Sequence, residues 1–434
     1  MPRGMIMHAL TELIRNDMKP ALGVTEPGAI AFAVSTAAKH TSGNVRKVKL
    51  ALNSGMFKNA FTCGIPGSAE VGNYHAAALG ASGADPDRGL ECLEGITQEQ
   101  ADNARRMVEA GMIEVSMSEI TSRIFIEATV ITDENTATVT IRDAHTNIVK
   151  ITVDGETVFG KEEGAGHNSA GGKDDIPLIH KYTLDEMFRY ASTVPVSEIE
   201  FIRSAFELNS ALLEEGLASG KTTFGPYLLA ANGGKVIGTD EQKTASLMCN
   251  GAIEARVLGL SRPAMSITGS GAHGIIATMP LYAAYKVSGY TEEQLLRATA
   301  LSYLICMYIK EYSGKLSAFC GCAIAAGTGM ACGLAMMRGA GTDVMKHVIN
   351  NMASSITGMI CDGGNQGCAM KGVVAVDAAW QSVGMAMSGV YIYDVHGING
   401  KTPEETMRNM GLIASPGMTG TEKTIVDILE TKKQ

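Results

Sequence analysis

Two groups of cysteines sit among glycines late in the chain: Cys320-Gly-Cys322, and then Cys361-Asp-Gly-Gly-Asn-Gln-Gly-Cys368. Thiolates are the ligands an iron–sulfur cluster needs, and glycines let a backbone close around a bulky inorganic core. Two chain segments would then converge on one site. A structural zinc site more typically shows two short-spaced pairs. The same cysteines also read as ordinary buried residues, which behave as small hydrophobes. The spacing matches no standard ferredoxin pattern, so spacing alone leaves these readings open.

Other segments carry potential chemistry. Ser266-Ile-Thr-Gly-Ser-Gly-Ala-His-Gly274 precedes an apolar helical run. Free N–H groups at such a helix start suit a carboxylate or phosphate. No strand is expected before it, so it does not read as a dinucleotide fingerprint. Asn53-Ser-Gly-Met-Phe-Lys58-Asn59 follows an expected strand, where a lysine and an asparagine are well placed to bind a small polar ligand. His145-Thr-Asn147 reads as a turn between strands, and His75 as a helix histidine. Arg256 lies two residues from Glu254, so on a helix the two do not share a face.

The elements that would position these residues follow from periodicity. Residues 4–17 read as a helix. Thr25-Glu26-Pro27 reads as a helix start with a hydroxyl cap and an acidic first turn. Val45 to Leu52 alternates as a strand does, and Glu70 to Leu79 and Gln98 to Glu109 read as helices. Ile113–Met117, Ile124–Thr132, Thr136–Arg142 and Ile148–Val153 are β-branched runs between polar turns, which predicts a small antiparallel sheet. Gly160 to Asp175 is rich in glycine and charge and reads as a loop or flap and a boundary. From Asp185 on, the patterns are helical. The expected class is α+β: an N-terminal α+β lobe over residues 1–175, packed on a mainly helical lobe over 176–434, with the active site between them.

Composition narrows the function classes. The net charge is −9 at pH 7, with no basic run, which argues against nucleic-acid and anionic-membrane binding. Nine cysteines form no small-domain disulfide framework, and the first residues show no secretory leader. These features point to a reducing cytoplasm and a small-molecule substrate. Leu316 to Met337 carries no charge, but its residues are mostly Ala, Gly, Cys and Ser, so it reads as a helix buried inside a domain rather than a membrane span. Small-residue helices of this kind also offer faces for a homo-oligomer.

Taken together, the segments resemble the UPF0597 family, which includes the iron–sulfur L-cysteine desulfidases. The C-terminal half is more distantly similar to the alpha domain of iron–sulfur L-serine dehydratases. The matching stretches are Lys19-Pro-Ala-Leu-Gly23, Thr25-Glu-Pro27, Lys58-Asn59, Pro66-Gly67, His145-Thr-Asn-Ile-Val149, Pro263-Ala-Met-Ser266, Gly269-Ser-Gly271, Leu316-Ser-Ala318 with Cys320, Met359-Ile-Cys-Asp-Gly363 and Cys368-Ala-Met-Lys371. The resemblance implies a [4Fe–4S] cluster on Cys320, Cys361 and Cys368 with one iron open. Cys320 is preferred to Cys322 because it follows the matching Leu-Ser-Ala stretch, and two residues apart on a helix point in opposed directions. The implied reaction is β-elimination on a small amino acid without pyridoxal phosphate. The 266–274 loop (Ser266, Gly269, Ser270 and Gly271) would hold the substrate carboxylate. Lys58, Asn59, His145 and Asn147 would complete the pocket.

Two departures bear on this. The family pattern Gly-Cys-Thr-Glu-Pro reads Gly23-Val24-Thr25-Glu26-Pro27 here, so a candidate base or cluster contact is lost. The family's usual Asn-Gln in the glycine loop reads Ala272-His273, and His75 is a second unexpected imidazole. Histidine suits proton abstraction near neutral pH, so His273 or His75 is the expected replacement base. Cys63, just before Pro66-Gly67, is an alternative for the lost thiol. A different substrate on the same cluster, or a non-catalytic cluster-binding homologue, stands beside the lyase reading.

Overall fold

A computed structural model describes residues 8–161, 176–314 and 317–432. The expected loop at 160–175 therefore lies, from residue 162 on, outside the described residues, as do residues 4–7, Lys315 and Leu316. The protein is α+β. Its strands are β1 (Lys19–Leu22), β2 (Val45–Leu52), β3 (Ile113–Met117), β4 (Phe125–Thr132), β5 (Thr136–Arg142), β6 (Ile148–Val153), β7 (Glu156–Gly160) and β8 (Pro263–Ser266). Six of them form one sheet in the order β3-β2-β4-β5-β6-β7.

Alternation builds this sheet. Along β4, Ile126, Ala128 and Val130 are fully buried while Glu127 points outward. The buried face of β4 and β5 packs on the helix Thr25–Lys39. The sheet differs from expectation in being mixed: β2 and β3 are parallel, and the other pairs are antiparallel. The helices Ser54–Ala60, Gly72–Ser82 and Gln98–Glu109 lie between β2 and β3, and such a crossover returns the chain in the same direction. Gln98–Glu109 begins with a capping box, Thr97 with Gln100. Thr25, by contrast, is the first residue of its helix rather than its cap. Val24 holds the cap position and supplies no side-chain bond.

The C-terminal part is helical. Cys322–Ala326 is a π-helical turn that leads into Gly327–Met337, whose residues are buried on nearly all sides, as the uncharged composition required. Among the described residues no helix is long and apolar enough to cross a membrane. The short pair β1–β8 joins the two parts of the chain, with Lys19 opposite Ser266 and Leu22 opposite Pro263. A strand thus does precede the glycine loop, and it delivers the chain into the helix Gly271–Ser288.

Candidate active site

The two cysteine segments meet through a short antiparallel bridge, Phe319 with Ile360. Cys320 N–H donates to Met359 O (3.0 Å) and Cys361 N–H to Ala318 O (2.6 Å). Beyond Cys361 the chain is fastened to the N-terminal part, where Gly364 N–H donates to Asn59 O (3.1 Å). Cys368 then enters the first turn of the helix Gly367–Met387. Its thiol is pushed up to about 11 by burial and by the neighbouring Cys361 and Cys320 thiols.

These thiols adjoin a cavity of about 460 Å³. Its wall includes Cys322, Cys361 and Cys368, together with Val24, Glu26, Asn59, His145, Gly269, Ser270, His273, Arg256 and Lys310. Cys320 lies buried behind this wall, its thiol pushed up by the adjacent Cys322 thiol and by burial. Of the two, Cys322 and not the expected Cys320 reaches the cavity wall; Cys320 precedes the helix, so the two thiols are neighbours rather than opposed.

Charge in the cavity is unevenly compensated. Glu26 accepts from Asn59 Nδ2 (3.0 Å), and His145 Nε2 stands 3.9 Å from the same oxygen. Burial pushes the Glu26 carboxyl up, but His145, Asn59 and Arg256 outweigh it and hold it down to about 2. Arg256 is the opposite case. It is 6 % exposed, its Nε has no hydrogen-bond partner, and no carboxylate among the described residues lies within ion-pair distance. Glu254 is turned away, accepting from Thr223 N–H (2.7 Å), Gly225 N–H (2.9 Å) and Gln366 Nε2 (3.0 Å). The ionised Glu26 faces the same cavity without pairing with Arg256, so the buried guanidinium is left short of hydrogen bonds, and a bound anion would supply them.

The anion has a second set of donors close by. A Cβ on Gly271 would stand 2.7 Å from Arg256 Nε, so the first turn of Gly271–Ser288 lies against the guanidinium. The first intrahelical bond there runs from Gly274 N–H to Ser270 O (3.2 Å), which leaves the N–H groups of residues 271–273 ahead of it. Other donors of the loop are used internally. Ser270 N–H donates to Ile267 O (3.1 Å), and Thr268 N–H donates to Asp17.

His273 is buried at the cavity, and its Nδ1 is hydrogen-bonded to Thr268 Oγ1. Burial and the cations Lys310 and Arg256 push its pKa well below the usual imidazole range, so it is neutral. A Cβ on Gly321 would meet His273 Nε2 at 2.8 Å and Lys310 Nζ at 3.1 Å. Only glycine lets the cysteine segment pass this close to the imidazole.

Several expected site residues lie elsewhere. Lys58 is buried in an ion pair with Glu422 (2.7 Å) and donates to Ser317 O (3.0 Å); it is not among the cavity residues. His75 sits on the helix Gly72–Ser82, beside Glu70 (3.3 Å), away from the cavity. Asn147 is tied to Arg142 O and Lys161 on the surface side of its turn. Ser266 Oγ donates to Lys19 O (2.7 Å), which fastens β1 to β8. Cys63 is fully buried and also absent from the cavity wall. Lys310 and Asp17 carry no signal in the sequence, while Arg256, two residues from Glu254, and Glu26, in the Thr25-Glu-Pro27 stretch, stand out there without a site role.

The donor set fits an iron–sulfur cluster. Cysteines from two segments converge, glycines line the approach, and Lys310 lies near to balance anionic thiolates, while Lys371 is paired with Asp362. Among the described residues no three Cys, His, Asp or Glu side chains are placed to ligate a single ion. A cluster asks for something else, because each thiolate binds a different iron.

Comparison with known proteins gives a consistent picture. Residues 87–427 match the family described as serine dehydratase alpha chain. A UPF0597 protein of Clostridium botulinum (strain Langeland) is 40% identical over 427 residues, covering 98% of this chain and 99% of the relative. A UPF0597 protein of Caldanaerobacter subterraneus is 35% identical over 428 residues, 98% of each chain. One from Aeromonas hydrophila is 33% identical over 422 residues, covering 97% and 96%.

Proposed function

The chain belongs to the UPF0597 family and to the serine dehydratase alpha chain family, and on that premise we propose that it is an iron–sulfur-dependent lyase catalysing α,β-elimination on a small amino acid. Cys320, Cys361 and Cys368 would hold a [4Fe–4S] cluster. When bound, the cluster supplies a Lewis-acidic iron for the β-leaving group. Arg256 and the N–H groups of residues 271–273 bind the α-carboxylate. Asn59 and His145 hold Glu26 ionised beside them. His273 Nε2 takes the proton from Cα as the β-bond breaks and the leaving group departs with its electron pair. Asp17 supplies the negative charge that opposes the imidazolium. The aminoacrylate so formed hydrolyses to pyruvate and ammonia.

The observation that carries this reading is the neutral His273 at the same cavity as the thiols and as Arg256, whose Nε has no hydrogen-bond partner. Val24 favours a substrate other than L-cysteine. It lines the cavity, and its methyl groups stand 3.2 Å from where a Cβ on Gly364 would be, so the family's missing thiol would have faced this site. The test is pyruvate release by anaerobically purified protein from L-serine, L-cysteine and related substrates. We expect weak release from L-cysteine, a rise with Val24→Cys, and loss of turnover on the preferred substrate with His273→Ala. Undiminished turnover in His273→Ala would remove the histidine from the mechanism. No pyruvate from any such substrate would favour the non-catalytic homologue.

A further inference from the structure

We propose that Thr268 is a positioning residue that fixes which nitrogen of His273 carries the proton, leaving the Nε2 lone pair free in the cavity. This rests on the reading of His273 as the base.

Thr268 has φ +52°. That region disfavours any side chain with a Cβ, and a β-branched one most of all. The other non-glycine residues there, among those described, are Asp143 and Asp154, a type that tolerates it. With Gly269 (φ +75°), Thr268 forms the centre of a two-residue turn closed by Ile267 and Ser270. Asn-Gly or Gly-Gly is the ordinary choice for such a turn. A threonine there is strained and persists only where its surroundings over-determine it.

Three bonds do so. The Thr268 N–H donates to Asp17 Oδ2, at the end of the helix Ala9–Asp17. Its Oγ1 lies 2.7 Å from Ile267 O and is also bonded to His273 Nδ1. A hydroxyl has one hydrogen, and a carbonyl oxygen only accepts. If the hydrogen pointed at the imidazole, two oxygen lone pairs would face each other across 2.7 Å. The hydrogen therefore goes to Ile267 O, Oγ1 accepts from Nδ1–H, with the Ile267 carbonyl as a second acceptor beside the ring, and Nε2 is unprotonated. Cys306 Sγ, 4.0 Å from the same hydroxyl, does not compete, since burial keeps it a thiol with its pKa pushed up to about 12. The strained turn thus has a purpose: asparagine would suit the backbone, but its amide could either donate or accept, and glycine offers no acceptor.

The experiment is nitrogen NMR of histidine-labelled, anaerobically purified full-length protein, with the His273 signals assigned by their loss in His273→Gln. We expect wild type to show His273 protonated at Nδ1 only. Thr268→Gly relieves the turn strain, so it should fold and melt no lower than wild type by more than a few degrees, yet show mixed tautomers. Thr268→Val should do the same at greater cost to stability, and Thr268→Ser should restore the wild-type signals. Turnover should follow the tautomer: kcat should fall about 10- to 100-fold in Thr268→Gly with KM little changed, and recover in Thr268→Ser. An Nε2–H tautomer in wild type, or an unchanged tautomer in a folded Thr268→Gly, overturns the proposal. Failure of the base reading looks different: His273→Ala would stay active while the NMR result stood.

Discussion

Lys58 tests whether burial or chemistry explains a family-like residue. Its side chain is 0% exposed, that of Glu422 is 6% exposed, and they meet at 2.7 Å. The pair links the helix Ser54–Ala60 to the helix Thr419–Glu430. Its satisfaction is incomplete, because Glu422 Oε1 and the nearby Ser317 Oγ have no partners. Replacing Lys58 by Met leaves a buried carboxylate uncompensated, which costs about 3–5 kcal/mol. Replacing Glu422 by Met leaves the ammonium with only Ser317 O and should cost nearly as much. The double variant removes both charges into a site already dry, so it should lie within about 1–2 kcal/mol of wild type. The coupling energy is then about 3 kcal/mol or more, well above the threshold for residues in contact. Urea unfolding of the four proteins measures it, and pyruvate release is assayed on the double variant. The account predicts strong coupling and retained activity. Additive losses would refute the buried-pair argument, and a stable but inactive double variant would return Lys58 to the chemistry.

Arg256→Gln should raise KM about 10- to 100-fold, as expected for hydrogen bonds to a charged group; an unchanged KM would contradict this. Glu26 has its pKa depressed from 4.5 to about 2, so it adds stability above pH 4.5 that is lost as pH falls toward 2. The difference is about 3 kcal/mol; urea midpoints between pH 5 and pH 3 should fall further in wild type than in Glu26→Gln, and parallel curves would count against it. His75→Ala, being remote from the cavity, should keep kcat and KM within about twofold, and a larger loss would show that this histidine reaches the substrate.

Local pattern made much of the fold legible. The alternation of Val45–Leu52 and of the β-branched runs located β2 to β6, and periodicity located the helix Gln98–Glu109. The four-residue strands β1 and β8 could not be read, because each contains a proline and is stabilised only by the other, far along the chain. The helix-start reading at Thr25-Glu26-Pro27 found the helix and its acidic first turn but not the further partners of Glu26, Asn59 and His145, which are distant in sequence. The cysteine spacing left open whether the two segments meet. It did not show that an extended bridge, rather than a helix, would present Cys320 and Cys322 together. Lys58 misled for the same reason: its partner lies more than three hundred residues away, and only folding reveals that the charge is already matched.

The most direct test of the cluster-dependent account is iron and acid-labile sulfide per chain after anaerobic purification, in wild type and in Cys320→Ala, Cys322→Ala, Cys361→Ala and Cys368→Ala. The account predicts about four iron and four sulfide in wild type and in Cys322→Ala, as a [4Fe–4S] cluster requires, and loss of cluster in the other three. Wild-type protein that releases pyruvate with neither iron nor sulfide bound would contradict it.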